Sequence, residues 1–133
     1  MEYITLDEFK NYEEYKTFLQ ENPDTGTLRI NVFTAGGAIP LPNTNILIMK
    51  QIGNYNVLFF NGLTDSMGVI DNIVLPTPRR VSNNYDLPRY TFYEISAIHT
   101  GYQDIKQYTI SMFGNTKIIQ YIRLTPEVMP NEL

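Results

Sequence analysis

The sequence predicts a mainly β protein: a seven-stranded antiparallel Greek-key sandwich preceded by one N-terminal α-helix. Three observations lead there. From Gly26 onward apolar residues alternate with polar ones, the period of a half-buried strand. Turn signals recur at short spacing, among them Gly36-Gly37, Gly53-Asn54, Gly68 and Gly114-Asn115. No helical pattern separates the strands, so sheet must pack on sheet. The chain has 133 residues, one domain's worth, and can bury roughly two thirds of its unfolded surface.

The helix comes first. Thr5 with Glu8 three residues on fits a capping box, and Asp7 and Glu8 complement the positive end of a helix. Phe9, Tyr12, Tyr15 and Leu19 fall on one broad face, with Leu6 and Phe18 at its edges. Asn22-Pro23 stops the helix, because a residue before proline is pushed out of the α region. The stripe is weak, and both packing on its own sandwich and docking on another chain are open to it.

The strands follow in order. Leu28, Ile30 and Val32 alternate with Arg29 and Asn31 as the first. Pro40 and Pro42 punctuate the next turn, and residues 44–50 form the second strand. Gly53-Asn54 turns the chain into a third at 57–63. Asp65 and Gly68 make the turn to a fourth at 69–75, which Pro76 and Pro78 end. Residues 77–89 read as an exposed loop. The last three strands fall at 90–98, 105–113 and 116–124, with Gly114-Asn115 between the final pair. Leu28, Ile30, Val32, Ile46, Ile48, Ile95, Ala97, Ile110, Ile119 and Tyr121 are the expected core. The domain organisation is an acidic amphipathic helix and linker at 1–24, the sandwich at 25–127 and a tail at 128–133.

Charge and composition narrow the chemistry. Cysteine is absent, which removes disulfides, thiolate zinc sites and cysteine nucleophiles. The net charge of −4 argues against nucleic acid as a partner. Residues 1–24 hold seven acids against Lys10 and Lys16, whereas the rest of the chain is close to neutral. The longest apolar runs are strand-length, so no segment spans a membrane. No basic-then-apolar leader opens the sequence.

Several segments together resemble a known family. Gly26-Thr27-Leu28-Arg29-Ile30-Asn31-Val32-Phe33-Thr34-Ala35, followed by Gly37-Ala38-Ile39-Pro40-Leu41-Pro42-Asn43-Thr44, resembles the opening of carboxypeptidase regulatory-like domains. Thr64-Asp65 with Gly68, Leu75-Pro76, Tyr93-Glu94-Ile95 and Gly101-Tyr102 follow in that family's order. The resemblance covers residues 26 to 126 and implies a prealbumin-like (transthyretin-like) sandwich. Phe18-Leu19-Gln20-Glu21-Asn22-Pro23 is similar to the helix end before such domains in spore-forming bacteria, where they accompany peptidoglycan-binding or spore cortex-lytic modules. The resemblance implies a non-catalytic module that contacts protein or a cell-wall polymer; because no signal peptide is visible, a cytoplasmic or spore-associated setting is expected. Recognition of carbohydrate or peptidoglycan through exposed Tyr55, Tyr85 and Tyr90 is its rival.

The residues of the common catalytic constellations are missing. The hydroxyisourate hydrolase that shares the transthyretin-like fold uses several histidines and a Tyr-Arg-Gly-Ser C-terminus; here His99 is the single histidine. No Gly-x-Ser-x-Gly elbow exists for a serine hydrolase, and no pair of carboxylates stands out for glycoside hydrolysis. Asp65 and Asp71 do not have calcium-loop spacing. The intramolecular isopeptide of collagen-adhesin B-type sandwiches needs a first-strand Lys where this chain has Arg29. The expectation is no catalytic residues, no metal and no cofactor. The candidate binding residues are Arg79, Arg80, Tyr85, Asp86 and Arg89 in the longest loop, where guanidinium groups could grip a carboxylate or phosphate. That loop is expected to dock on the acidic helix or to recruit an acidic partner.

Overall fold

In the computed structural model, which describes residues 2–80 and 89–128, the alternation after Gly26 becomes a long central strand. β2 (Asp24–Thr34) turns Gly26, Leu28, Ile30, Val32 and Thr34 inward. Before it come a two-residue strand, β1 (Ile4–Thr5), and two short helices, α1 (Leu6–Phe9) and α2 (Glu13–Glu21). After it come β3 (Ile39–Pro40), β4 (Asn45–Ile52), β5 (Tyr55–Leu63), β6 (Val69–Thr77), β7 (Tyr90–Ile98), β8 (Ile105–Phe113) and β9 (Lys117–Arg123). One sheet has the order β1-β5-β4-β7-β8. The other is built on β2, with β6 and β9 on its two sides and β3 paired at its end.

The β-sandwich is as predicted, with nine strands in place of seven. The two additional strands, β1 and β3, are two residues each and too short to leave a period in sequence. The seven long strands fall where the alternation and the turns put them. Uniform antiparallel pairing does not hold. β9 runs parallel to β2, from Thr27 opposite Lys117 to Phe33 opposite Arg123, and β1 runs parallel to β5. The reason lies in the last turn. Asn115 N donates to Thr25 O at 2.8 Å, and Thr27 N donates to Thr116 O at 3.0 Å. β9 is thereby launched from the same end as β2.

Packing follows parity. Ile46 and Ile48 of β4 and Tyr93, Ile95 and Ala97 of β7 are fully buried against Leu28, Ile30 and Val32. Ile110 is buried as expected, but Ile119 and Tyr121 are 48% and 60% exposed. In the apolar run Ile118-Ile119 either parity is possible; pairing with β2 turns Ile118 and Ile122 toward the core and puts the odd-numbered residues on the outer face. On that outer face Asp71 bridges Arg29 at 3.3 Å and Lys117 at 3.2 Å. The Asn72 amide and the Lys117 ammonium hold the Asp71 carboxyl below its ordinary range.

The predicted single helix is broken into two. Thr5 caps α1 as expected, accepting from Glu8 N at 3.3 Å. The side chain of Asn11 then donates to Glu8 O at 3.4 Å, and Tyr12 is extended. Asparagine competes for helical carbonyls in this way and ends the turn. Phe9 and Tyr12 stack on Tyr55, with centroids 5.6 and 5.1 Å away, so Tyr55 is half-buried in an aromatic cluster. Phe18 of α2 meets Phe59 at 5.8 Å. The helices thus pack on their own sandwich. Thr5→Ala is expected to cost about 0.5–1 kcal/mol, read as a lower urea midpoint at constant slope.

Candidate functional site

Three pieces of chain meet beside the end of α2. The first is the helix terminus itself. Asn22 is buried, and both its main-chain N and its Nδ2 donate to Phe18 O at 2.9 Å. These two hydrogen bonds to one carbonyl close the last turn, and Gln20, Glu21 and Pro23 lie along one wall. The second piece follows β6, where Pro78 leads into Arg79 and Arg80. Arg80 N donates to Asp24 Oδ2 at 2.9 Å, which ties this segment to the start of β2. The third is Arg89 and Tyr90 at the entry to β7. Gln20, Glu21, Pro23, Pro78, Arg79, Arg89 and Tyr90 line a cleft of about 800 Å³.

The cleft carries two guanidinium groups and an aromatic wall. Tyr90 is 48% exposed and meets Phe92 edge-on at 5.0 Å and Phe113 at 5.8 Å. Arg79 and Arg89, ten residues apart in sequence, line the same cavity, and Glu21 lines it from the helix side. Of the predicted binding residues, then, Arg79 and Arg89 share a cleft with the acidic helix. Arg80 is held next to it through its main chain. Tyr85 and Asp86 lie outside the described residues. Sequence reasoning missed Gln20 and Glu21, whose only signal was their place just before Asn22-Pro23.

A second polar group lies deeper and was also missed. Lys50 Nζ donates to Phe92 O at 2.8 Å and stands 5.4 Å from the centre of the Tyr93 ring. Burial pushes the Lys50 ammonium down from the ordinary lysine range, and the nearby Glu94 charge opposes that. Its signal in sequence was a lone charge after the apolar run Ile46-Leu47-Ile48-Met49.

Two further titratable groups, Asp65 and His99, have structural duties. Asp65 Oδ1 accepts from Met67 N at 2.9 Å and Val69 N at 3.0 Å, closing its own turn. Both ring nitrogens of His99 face main-chain carbonyls, Thr100 O at 2.8 Å and Pro42 O at 3.1 Å. Both nitrogens are thus engaged by the backbone. Among the described residues no three His, Cys, Asp or Glu side chains gather to hold a metal, and no helix is long and apolar enough to cross a membrane.

No family model matches the chain, and no curated protein sequence matches it. Solved structures do. A mercury-inhibited catechol 1,2-dioxygenase from an Acinetobacter species is similar at TM-score 0.51 and 13% identity, over 79% of this chain and 53% of that one. The 3-chlorocatechol 1,2-dioxygenase of Rhodococcus opacus is similar at TM-score 0.52 and 13% identity, over 78% and 61%. A single-residue mutant of the catechol 1,2-dioxygenase of Acinetobacter radioresistens gives TM-score 0.53 and 11% identity, over 95% and 57%. At such identity the likeness concerns the fold, and the chain spans little more than half the length of these enzymes.

These structures correct two expectations. The resemblance to carboxypeptidase regulatory-like domains is overturned, since the solved structures similar to this sandwich include catechol dioxygenases and belong to a different family. The residues that carried it, such as Gly37-Ala38-Ile39-Pro40 and Gly101-Tyr102, are turn and strand-edge signals that a sandwich needs whatever its ancestry. The expected role falls with it. A non-catalytic module for protein, cell-wall or spore association, with carbohydrate binding as its rival, rested on that resemblance, and the sandwiches found belong to enzymes. The spore and cell-wall setting loses its support in the same way.

Proposed function

We infer that the chain is a small-molecule-binding domain and that the cleft beside α2 takes a flat organic carboxylate. The observation that supports this most directly is that Arg79 and Arg89 line one cavity with Tyr90. Planar guanidinium groups match a carboxylate bidentately and hold it more strongly than neutral donors do. Tyr90, backed by Phe92 and Phe113, offers an aromatic edge on which a ring can pack. Glu21 and Gln20 can accept from a hydroxyl at the far side of such a ring. A hydroxylated aromatic carboxylate therefore fits better than a bare diol, which leaves both arginines without an anion.

The same reading holds that the chain does not itself carry out dioxygenase chemistry. The facial triad that holds iron(II) in many non-haem oxygenases needs two histidines and a carboxylate. His99 is the only histidine, and its ring nitrogens both face carbonyls. The residues present do not fit such a centre. The net charge of −4, with Arg29 and Lys117 both engaged by Asp71, also speaks against a nucleic-acid surface.

Titration of 3,4-dihydroxybenzoate, benzoate and catechol into isotope-labelled protein tests the cleft. The two carboxylates should shift Tyr90 and the residues beside Arg79 and Arg89, and catechol should not. Arg79→Ala with Arg89→Ala should weaken binding by about tenfold or more while the thermal midpoint stays in place. No shift near Tyr90 at millimolar carboxylate removes the cleft from consideration. Oxygen uptake with catechol and either ferrous or ferric salt would overturn the second half of the reading, that the chain does not carry out dioxygenase chemistry.

A further inference from the structure

We propose that the cavity between α2 and the β4–β5 hairpin binds a linear aliphatic diamine. It measures about 540 Å³ and borders the arginine cleft only at Glu21. Its helical wall is acidic. Glu14, Phe18 and Glu21 recur at helical spacing and so share one face of α2, with two turns between the carboxylates. Glu13, the third acid of the wall, is drawn to Lys16 at 3.4 Å, whereas Glu14 and Glu21 have no ion pair among the described residues. Two turns advance the helix by about 10 Å. That spacing suits two cationic centres joined by a chain better than one metal ion, whose oxygen ligands must converge to about 2.3–2.6 Å.

Uncharged acceptors in the same cavity call for a donor independently of the acids. Asn22 is only 8% exposed, and its Nδ2 is committed to Phe18 O at 2.9 Å. Its Oδ1 accepts from no described residue, and the side chain lines the cavity. Thr91 is 9% exposed and lines the cavity from β7, and its hydroxyl also has no partner among the described residues. A buried acceptor without a donor is costly. An ammonium group, with three N–H donors and no acceptor of its own, satisfies Asn22 Oδ1 and a Glu carboxylate together.

Lys50 is the one cation among the lining residues, and it is occupied elsewhere. Its ammonium donates to Phe92 O at 2.8 Å and stands 5.4 Å from the centre of the Tyr93 ring, and Glu94 acts on it from the neighbouring cavity. It forms no ion pair with the α2 carboxylates. Three carboxylates against one ammonium leave the cavity with an excess of negative charge, which a dication offsets. Phe18 and Ile52 supply the apolar surface for the methylene stem between the two charges.

Titration of 1,4-diaminobutane into isotope-labelled protein, followed at the Asn22 side-chain amide and the Thr91 main-chain amide, tests this. Both signals should move together along one saturating curve. 1-Aminobutane, with the same stem and a single charge, should bind about tenfold or more weakly. Magnesium chloride at matched ionic strength should leave both signals in place. Glu14 is exposed and does not line the arginine cleft, so Glu14→Gln should keep the thermal midpoint and the response to benzoate while weakening the diamine about fivefold or more. Thr91→Val should weaken the diamine about threefold. An Asn22 signal that stays still at millimolar diamine, an equal response to the monoamine or to magnesium, or an unchanged affinity in Glu14→Gln overturns the proposal.

Discussion

Tyr93→Ala is expected to lower the folding stability by about 3–5 kcal/mol, and Tyr93→Phe by about 1–2 kcal/mol. The two variants divide the residue into its ring and its hydroxyl. The ring is fully buried and meets Phe59 edge-on at 5.2 Å. Removing it leaves a cavity lined by Phe59, Ile95 and the stem of Lys50, which the rigid sheets cannot collapse to fill. The hydroxyl does something separate. Its Oη donates to Pro76 O at 2.6 Å, which joins β7 in one sheet to β6 in the other. Burial pushes the Tyr93 phenol far above its ordinary range, so it stays a neutral donor wherever the protein is folded. Urea melts of the wild type and both variants check this. A Tyr93→Phe protein within a few tenths of a kcal/mol of wild type would show that the tie between the sheets contributes nothing.

Gly68→Ala should be the most costly of the glycine substitutions at turns, at about 2–4 kcal/mol. Gly68 has φ of +73°, where a side chain is strained, and a Cβ there would stand 2.4 Å from Val32 O and 3.0 Å from Leu41 N. Those atoms are already bonded, Leu41 N to Val32 O at 3.0 Å and Val32 N to Gly68 O at 2.8 Å. The methyl group would have to push neighbouring strands apart at their junction. Gly101→Ala is the natural control, because Gly101 has φ of +88° and open space around it. It should show the conformational strain alone, about 1–2 kcal/mol. Thermal melts of both separate strain from collision. If Gly68→Ala costs no more than Gly101→Ala, the close approach does not matter.

The long strands were legible because each has one buried and one wet face, and the period of two survives in sequence. Leu28, Ile30 and Val32 show this most plainly. Parity failed only at Ile118-Ile119, where both faces are apolar and the partner strand decides. Antiparallel pairing holds for β2 with β6, β4 with β5 and β7, and β7 with β8, but the parallel pairing of β9 with β2 was not legible: it depends on Asn115 and Thr116 meeting the start of β2, contacts that no local pattern records. Of the residues that line the candidate cleft, Arg79 and Arg89 stand out in sequence because a long loop rich in arginine is unusual. Glu21 and Lys50 do not, because their meaning comes from what folds against them. The family resemblance misled for a related reason. Its motifs were those of turns, which report the architecture and say little about descent.

The parallel pairing of β2 with β9 also bears on how the chain acquires its structure. β2 lies between β6 and β9, yet β9 follows it at a distance of about ninety residues in sequence, with Thr27 beside Lys117. A nascent chain can form the β4–β5 and β7–β8 hairpins early, since their partners are close in sequence. It cannot close the second sheet until β9 has left the ribosome. Distant pairings of this kind slow folding and leave an unpaired strand edge exposed meanwhile. Chains that end before Ile118 should therefore accumulate as aggregation-prone intermediates with one finished sheet, even though nothing in the first sheet has been removed.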